Sequence, residues 1–305
     1  MPLDLVTGAF GFTGRAIAER LLADGRQVRT LTRRTGVGDP LADRVDVRGF
    51  GGGTEAELVD AFEGVETLYN TYWVRFPRGD DTFEAAIVRS EAMLAAARRA
   101  GVRRIVHVSV VNAATDAETP YVRAKAVLEA IVRASTLDWV IVRPTLTYGS
   151  GDILINNLAW ALRRLPVYGL PGRGRYTVQP VHVNDVARIC VEAGTRLAGT
   201  TIDAAGPEIL RYRELVELVR RSIGSRALVL PMPHAAVHAA ARLLGPLLRD
   251  VVLTRDEIRE LTSSLLTSHE PPLGVIRISN WVVDHAASLG RRWSSELARN
   301  YTRGG

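Results

Sequence analysis

The sequence predicts an α/β protein with a doubly wound parallel sheet and a small, mostly helical lobe near its C-terminal end. Apolar strand patterns alternate with helical patterns over residues 3–143, an order that requires crossover connections and therefore parallel strands. A glycine-rich turn with Gly8, Gly11 and Gly14 joins the first strand to the first helix. Beyond residue 150 the chain offers too few strand patterns for a second α/β domain.

The glycine turn is the element on which the rest of the interpretation depends. The first glycine allows the sharp turn, the second lets a pyrophosphate approach bare backbone, and the third lets the helix pack close to the strand. The helix N-terminus then presents unpaired N–H groups and a positive dipole end to the phosphates. A glycine-rich turn without a ligand is the alternative, but the position between strand and helix favours a dinucleotide site.

The first half of the chain gives regular elements in order. After the opening strand at residues 3–7, strands are predicted at 27–32, 45–47, 67–72, 104–109 and 139–143. A helix is predicted after the glycine-rich turn, with Ile17, Leu21 and Leu22 on its apolar face, and further helices are predicted at 55–62, 84–100 and 120–135. Because strand and helix alternate throughout, this part is predicted to be a nucleotide-binding core over residues 1–150.

The second half is less regular. Residues 145–180 are rich in Gly, Pro and Arg and are predicted to be irregular. The later elements are a helix from Asn184 or Asp185 to about 198, a strand at 200–203, a helix at 212–223, a strand at 227–230, and helices at 234–249, 255–266 (behind a Thr254-x-x-Glu257 capping box) and 280–301 with a break at Gly290. We assign residues 151–305 to a substrate lobe, from which about 178–203 returns to the core.

Composition narrows the class of protein. The 305 residues are 47% hydrophobic and 24% charged, which is ordinary for a globular protein, and no run of 18 apolar residues predicts a membrane span. The net charge of +6 is scattered, which argues against a nucleic-acid surface. The single cysteine, Cys190, excludes an internal disulfide and fits a helical core position, and the scattered histidines predict no metal site. The first strand begins at Leu3, so we expect no leader and a cytoplasmic location.

Arg33 and Arg34 follow the second strand, where an NAD site usually has an Asp or Glu for the ribose. A guanidinium there suits a 2′-phosphate, so the sequence favours NADP, with NAD as the other option. The alternative is a pair of exposed arginines in an arginine-rich chain.

Tyr121 and Lys125 are the strongest candidates for chemistry. They are spaced i, i+4 on a predicted helix behind Thr119-Pro120, so they share one face. An ammonium beside a phenol lowers the pKa of the phenol, which can then exchange a proton with a substrate oxygen. Among 39 Lys and Arg residues Lys125 is the only lysine. An ordinary surface pair would not explain why lysine is retained at this one position.

Five motifs together resemble one family. They are Thr7-Gly8-x-x-Gly11-x-x-Gly14, Val106-His107-Val108-Ser109, Tyr121-x-x-x-Lys125, Arg143-Pro144-x-x-x-Tyr148-Gly149 and Val181-His182-Val183-x-Asp185-Val186-Ala187. The chain resembles the short-chain dehydrogenase/reductase superfamily over about residues 3–225. It is most similar to the extended and atypical members, which include NAD-dependent epimerase/dehydratase-like proteins and complex I accessory-subunit-like proteins. The resemblance implies a Rossmann-type core and hydride transfer on a nicotinamide.

The resemblance also implies roles for individual residues. Tyr121 would be the acid or base, assisted by Lys125 and Ser109, and Tyr148 would face the substrate, a small molecule. The residues implied to line the cofactor, beyond the three glycines, the two arginines and Lys125, are Phe10, Phe12, Thr71, Tyr72 and Pro144. The helices at 84–100 and 120–135 would pair across a two-fold axis in a homodimer.

Two departures from the family pattern leave the function open. Phe50 stands where the family often has an Asp near the adenine. The usual Ser or Thr one or two positions beyond Ser109 is missing, and Asn112 or Thr115 would have to replace it. The sequence therefore leaves two functions: an NADP-dependent oxidoreductase, either a carbonyl reductase or epimerase-like, and a non-catalytic NAD(P)H-binding sensor or assembly subunit.

Overall fold

The computed structural model describes residues 2–33, 38–50, 54–196 and 198–301. The chain divides into two compact units. The first unit holds the described residues up to Pro144 together with Val186–Asp203, and the second holds Thr145–Asp185 and the described residues from Ala204 to 301.

The elements alternate as expected over the first unit. The strands are β1 Leu3–Thr7, β2 Gln27–Thr32, β3 Asp46–Gly49, β4 Val65–Asn70, β5 Arg104–Val108, β6 Asp138–Pro144, β7 Leu146–Tyr148, β8 Val167–Pro171, β9 Thr177–Val178, β10 Pro180–His182, β11 Thr200–Ala204, β12 Leu210–Arg211 and β13 Leu228–Met232. The helices are α1 Phe12–Ala23, α2 Glu55–Asp60, α3 Phe83–Arg99, α4 Pro120–Ala134, α5 Leu154–Arg164, α6 Val183–Arg196, α7 Tyr212–Ser222, α8 His234–Leu248, α9 Arg255–Thr262, α10 Ile278–Asp284 and α11 Glu296–Asn300.

A seven-stranded sheet forms the first unit, in the order β11-β6-β5-β4-β1-β2-β3. The neighbouring strands from β3 to β6 all pair in parallel, which confirms the predicted doubly wound α/β fold. The strand order reverses between β1 and β4, and sheets of this kind bind ligands outside the carboxyl ends of the strands at such a reversal. Leu5, Leu68 and Ile141 on these strands are fully buried in one core cluster.

The second unit has its own core and only short strand pairs. These pairs join β10 to β7, β12 to β9 and β13 to β8. Leu158 and Leu162 of α5 pack in one buried cluster with Leu215 of α7 and Trp281 of α10. Because each strand pair is two-stranded, helices supply most of this core, as expected for the C-terminal lobe.

The structure corrects the predicted elements in three places. Residues 145–180, predicted to be irregular, contain β7 to β10 and α5. The helix predicted at 280–301 is instead α10 and α11, and Gly290 between them has a φ of +70°. Its missing side chain leaves room for the Ala159 backbone, since a Cβ would lie 2.4 Å from the Ala159 carbonyl carbon. The helix at 255–266 ends early, at Thr262, although its capping box is present.

Candidate active site

The glycine turn is closed by backbone hydrogen bonds that require its glycines. Gly8 has a φ of +68° and its N–H donates to the Leu31 carbonyl oxygen at 2.8 Å. The Gly11 N–H donates to the Gly8 carbonyl oxygen at 2.8 Å. A Cβ on Gly14 would lie 2.3 Å from that same oxygen, so only glycine fits. Gly14 thus lets α1 pack directly against the turn.

The N-terminus of α1 carries the features of an anion site. Its N-cap is Gly11, which makes no side-chain cap, and its first turn has no acidic residue. The helix dipole and the N–H groups of the first turn therefore favour a phosphate at this end.

Thr7 ties the end of β1 to the end of β4, at the reversal of strand order. Its hydroxyl oxygen accepts the Thr71 N–H at 2.8 Å and the Tyr72 N–H at 2.9 Å. The Thr71 hydroxyl in turn donates to the Thr7 carbonyl oxygen at 2.5 Å. Two residues predicted to line the cofactor, Thr71 and Tyr72, are thereby fixed beside the glycine turn.

Arg33 is held by Asp81, a residue that the sequence analysis did not consider. The Arg33 Nη1 donates to both carboxylate oxygens of Asp81 at 2.8 Å. Arg89 on α3 donates from its Nη1 to Asp81 Oδ1 at 2.7 Å and to the Tyr72 hydroxyl at 3.2 Å. Burial opposes ionisation of Asp81, but the hydrogen bonds from the two guanidinium groups outweigh it and lower its pKa. Arg34 lies outside the described residues.

Lys125 is buried at the start of α4 with only 3% of its surface exposed. Its Nζ donates to the Val108 carbonyl oxygen at 3.0 Å and lies 4.6 Å from the centroid of the Trp73 ring. Burial lowers the pKa of Lys125 to about 7, against a smaller opposing effect of Glu129. The protonation of Lys125 therefore changes near neutral pH.

Tyr121 and Lys125 both contact the Trp73 ring. Tyr121 contacts that ring edge-on, with 6.3 Å between centroids, and contacts Phe83 in the same manner at 6.1 Å. Trp73 and Phe83 are themselves stacked at 6.0 Å. The structure thus brings the predicted pair together on one face of α4, against the aromatic residues that follow β4.

Ser109 directly follows β5, and its side chain lies beside Glu129 of α4. The Ser109 side chain is buried and helps to lower the pKa of Glu129, although its hydroxyl makes no well-formed hydrogen bond. The Glu129 carboxylate is 1% exposed and binds Arg143 at 2.5 Å and Arg133 at 2.9 Å. The catalytic role predicted for Ser109 stays a prediction. Asn112, its possible replacement, has a left-handed backbone with a φ of +56°, and Thr115 is exposed.

The remaining predicted residues fall in different surroundings. Phe10 is buried and Phe12 half-buried beside the glycine turn. Phe50 packs edge-on against Tyr72, with 4.8 Å between centroids. The Pro144 carbonyl oxygen accepts the Val111 N–H at 3.0 Å.

Tyr148, expected to face the substrate, is fully buried in the core of the second unit. Its hydroxyl donates to the Ile276 carbonyl oxygen at 3.0 Å, and its ring packs against His182 and Trp281. The structure therefore gives this side chain a role in packing.

A sequence model described as NAD(P)H-binding matches residues 8–155, from the glycine turn through Tyr121 and Lys125. The chain is similar to the short-chain dehydrogenase/reductases of the extended or atypical type, and these comparisons support the classification that its motifs indicate. Its first unit is an NAD(P)H-binding domain of Rossmann type, with the strand order described above.

Two relatives and one solved structure show the range of this type. The chain is 27% identical to the mitochondrial NADH dehydrogenase (ubiquinone) 1 alpha subcomplex subunit 9 of Arabidopsis thaliana, over 86% of this chain and 70% of that protein. It is 27% identical to the 2-alkyl-3-oxoalkanoate reductase of Stenotrophomonas maltophilia, over 88% of this chain and 91% of that protein. The triphenylmethane reductase of Citrobacter sp., solved with NADP(H), shares the fold, with a TM-score of 0.77 at 19% identity over 94% of this chain and 100% of that one.

Among the described residues, no three His, Cys, Asp or Glu side chains are grouped closely enough to hold a metal ion. No helix in the described ranges has both the length and the apolar character needed to cross a membrane.

Proposed function

We propose that this protein is an NADP(H)-dependent reductase of a carbonyl substrate, in which Tyr121 supplies the proton. The observation that carries the proposal is the Tyr121–Lys125 pair, assembled around Trp73 in the same unit as the glycine turn. Burying a lysine whose pKa is lowered destabilises the folded state, and groups with strongly shifted pKa values are typical of functional sites.

The residues present fit a nicotinamide dinucleotide. Gly11 leaves the turn without a side chain at the point where α1 begins, and the uncapped N-terminus of α1 suits a pyrophosphate. The turn backbone and α1 would hold the pyrophosphate, Arg33 a ribose phosphate, and Lys125 the ribose hydroxyls near the nicotinamide. When bound, the reduced cofactor supplies the hydride for the carbonyl carbon.

Proton transfer falls to Tyr121. Its phenol donates a proton to the carbonyl oxygen of the substrate as negative charge develops there. A free phenol has a pKa of about 10, so the phenolate left behind needs stabilisation. The Lys125 ammonium on the same helix face provides it; with a pKa of about 7, about half of the molecules carry this charge at pH 7 and most carry it below about pH 6.

A 3-oxo acid is the substrate class that the relatives support best, because the reductase from Stenotrophomonas maltophilia is named for such a substrate. The test is NADPH oxidation by the wild-type protein with 3-oxoalkanoates, simple ketones, aldehydes and nucleotide sugars. We expect turnover to be highest with 3-oxoalkanoates. Turnover confined to nucleotide sugars, with an epimerised product and no net NADPH loss, would favour an epimerase instead.

A non-catalytic NAD(P)H-binding subunit is the second candidate. The Lys125 ammonium is buried against the Trp73 ring and bound to the Val108 carbonyl oxygen, which leaves little of it for a ligand, and the chain is similar to a complex I subunit. This candidate predicts tight NADPH binding with no turnover on the same panel. A cytoplasmic location and a homodimer through α3 and α4 remain predictions, the second of which sedimentation analysis would test.

A further inference from the structure

The carboxylate of Asp81 brings two distant arginines together at the end of β2. Arg33 comes from that strand end and Arg89 from the second turn of α3, and both place Nη1 within 2.8 Å of Asp81 Oδ1. The sequence separates these arginines by more than fifty residues, so no local motif indicates that they meet.

The backbone of Asp81 is itself fixed. Its N–H donates to the Arg78 carbonyl oxygen at 3.1 Å, and its carbonyl oxygen accepts the Arg78 N–H at 2.9 Å. The next residue, Thr82, caps α3 by accepting the Ala85 N–H on its hydroxyl at 3.1 Å. Asp81 is therefore a rigid anchor, and Arg89, on the helix that Thr82 caps, is fixed relative to it.

The two guanidinium groups keep unused hydrogen-bonding capacity. Each contacts Asp81 through Nη1 alone, and within the described part of the chain their Nε and Nη2 atoms make no hydrogen bond. Both side chains are partly exposed, at 28% for Arg33 and 31% for Arg89. With one carboxylate between two guanidinium groups, the cluster has a net charge of one positive unit.

The surroundings of this cluster match the adenosine end of the proposed cofactor. The Tyr72 hydroxyl accepts a hydrogen bond from Arg89, and the Tyr72 ring packs against Phe50, which follows β3. These residues all lie at the carboxyl ends of β2, β3 and β4, where this sheet type binds its ligands.

We infer that Arg89 is a second binding residue for the 2′-phosphate of NADP(H), held beside Arg33 by Asp81. This inference rests on the proposed NADP(H)-dependent function. Two guanidinium groups can donate to one phosphate from two sides, whereas the uncharged 2′-hydroxyl of NAD(H) forms no ion pair with them. Arg89 therefore increases the affinity for NADP(H) over that for NAD(H), and Asp81 is the residue that positions both arginines.

The test replaces Arg89 with Met, which keeps the aliphatic stem and removes the guanidinium. Arg98→Met is the matched control, because Arg98 is on the same helix, is exposed and has no ion-pair partner among the described residues. Calorimetry would measure NADPH and NADH affinities of the wild type and both variants, and thermal unfolding would verify that they fold. Competition by 2′-AMP and 5′-AMP isolates the phosphate position from the rest of the cofactor.

We expect Arg89→Met to weaken NADPH binding by on the order of 10-fold to 100-fold, the effect of losing a charged hydrogen bond, and to leave NADH within about threefold. Affinity for 2′-AMP should fall in parallel, and Arg89→Lys should recover part of it. Equal losses for NADPH and NADH, or no loss, would overturn the role of Arg89 while the proposed function stands. A folded wild type that binds neither NADPH nor NADH would overturn the proposed function, and the inference with it.

Discussion

The Lys125 ammonium lies 4.6 Å from the centroid of the Trp73 ring and donates to the Val108 carbonyl oxygen at 3.0 Å. The ring face and the carbonyl oxygen replace only part of the hydration that burial removes, so the pKa of Lys125 falls to about 7. Because Tyr121 contacts the same ring, Trp73 links the two residues proposed for chemistry.

Lys125 should make the stability of the protein depend on pH. Its pKa is about 7 in the folded chain, against a usual value of 10.5. Above about pH 7 the unfolded chain therefore binds more protons, and the free energy of unfolding should rise by up to about 1.4 kcal/mol per pH unit. Lys125→Met should remove this rise and be more stable than wild type at pH 7.

Urea unfolding between about pH 7 and 8.5 would measure the effect. Burial raises the pKa of Cys190 from 9.0 to about 12, so its ionisation in the unfolded chain opposes the rise only toward the upper end of this range. The chain has no other lysine, but burial lowers the pKa values of His107 and His182, which adds a rise mainly below about pH 7.5. A rise above that pH that is as steep in Lys125→Met as in wild type would contradict the depressed pKa of Lys125.

The glycine turn gives a prediction that separates binding from folding. A Cβ at Gly11 would lie 3.1 Å from the Gly8 carbonyl oxygen, a tight but adjustable contact, whereas one at Gly14 would lie 2.3 Å from that atom. We therefore expect Gly11→Val to fold and to lose NADPH binding, because its side chain projects into the space for the pyrophosphate. Gly14→Ala should lose stability as well.

Circular dichroism and NADPH fluorescence titration of both variants would show this difference. Normal NADPH affinity in a folded Gly11→Val protein would exclude this turn as the phosphate site.

The preference for NADP(H) should decrease with salt. The cluster of Arg33, Asp81 and Arg89 is partly exposed, so its attraction for a 2′-phosphate is screened by ions. We expect NADPH to bind more tightly than NADH at about 0.05 M KCl, and the ratio of their affinities to fall at about 0.5 M. Titration of both cofactors at the two salt concentrations measures this ratio, and a ratio that is independent of salt would show that the 2′-phosphate does not contact these arginines.

Ser109 should matter less than its place in the family pattern implies. Its side chain lies beside Glu129, whose carboxylate is already bound by Arg143 and Arg133. We expect Ser109→Ala to keep turnover within about 10-fold of wild type, less than the roughly 10²–10⁴-fold contribution of a general acid. Steady-state kinetics would decide, and a loss as large as that of Tyr121→Phe would restore Ser109 as a catalytic residue.

Much of the first unit could be predicted because its signals are local. The period of apolar residues defines the strands from β1 to β6, and the spacing of Gly8, Gly11 and Gly14 indicates the turn that joins β1 to α1. The i, i+4 spacing of Tyr121 and Lys125 likewise predicts a shared helix face, and the structure brings both to Trp73.

What could not be predicted depends on contacts between distant residues. Asp81 meets Arg33 only through the loop after β4, and no periodicity encodes that approach. α5 was missed because the Gly- and Pro-rich segments around it suggest irregular structure, although Ile155 and Leu158 pack in a buried core. The helix predicted across Gly290 is interrupted because tertiary packing against Ala159 requires a glycine there.

Tyr121→Phe is the most direct test of the proposed chemistry, because it keeps the ring against Trp73 and Phe83 and removes only the proton donor. Tyr176→Phe is the matched control, since the buried Tyr176 hydroxyl makes no hydrogen bond in the described part of the chain. The measurement is NADPH oxidation by wild type and both variants with the best 3-oxoalkanoate, beside NADPH titrations. We predict that Tyr121→Phe loses at least roughly 10²-fold in turnover with nearly unchanged NADPH affinity, while Tyr176→Phe turns over normally. Wild-type turnover that survives in Tyr121→Phe would contradict the assignment of Tyr121 as the proton donor.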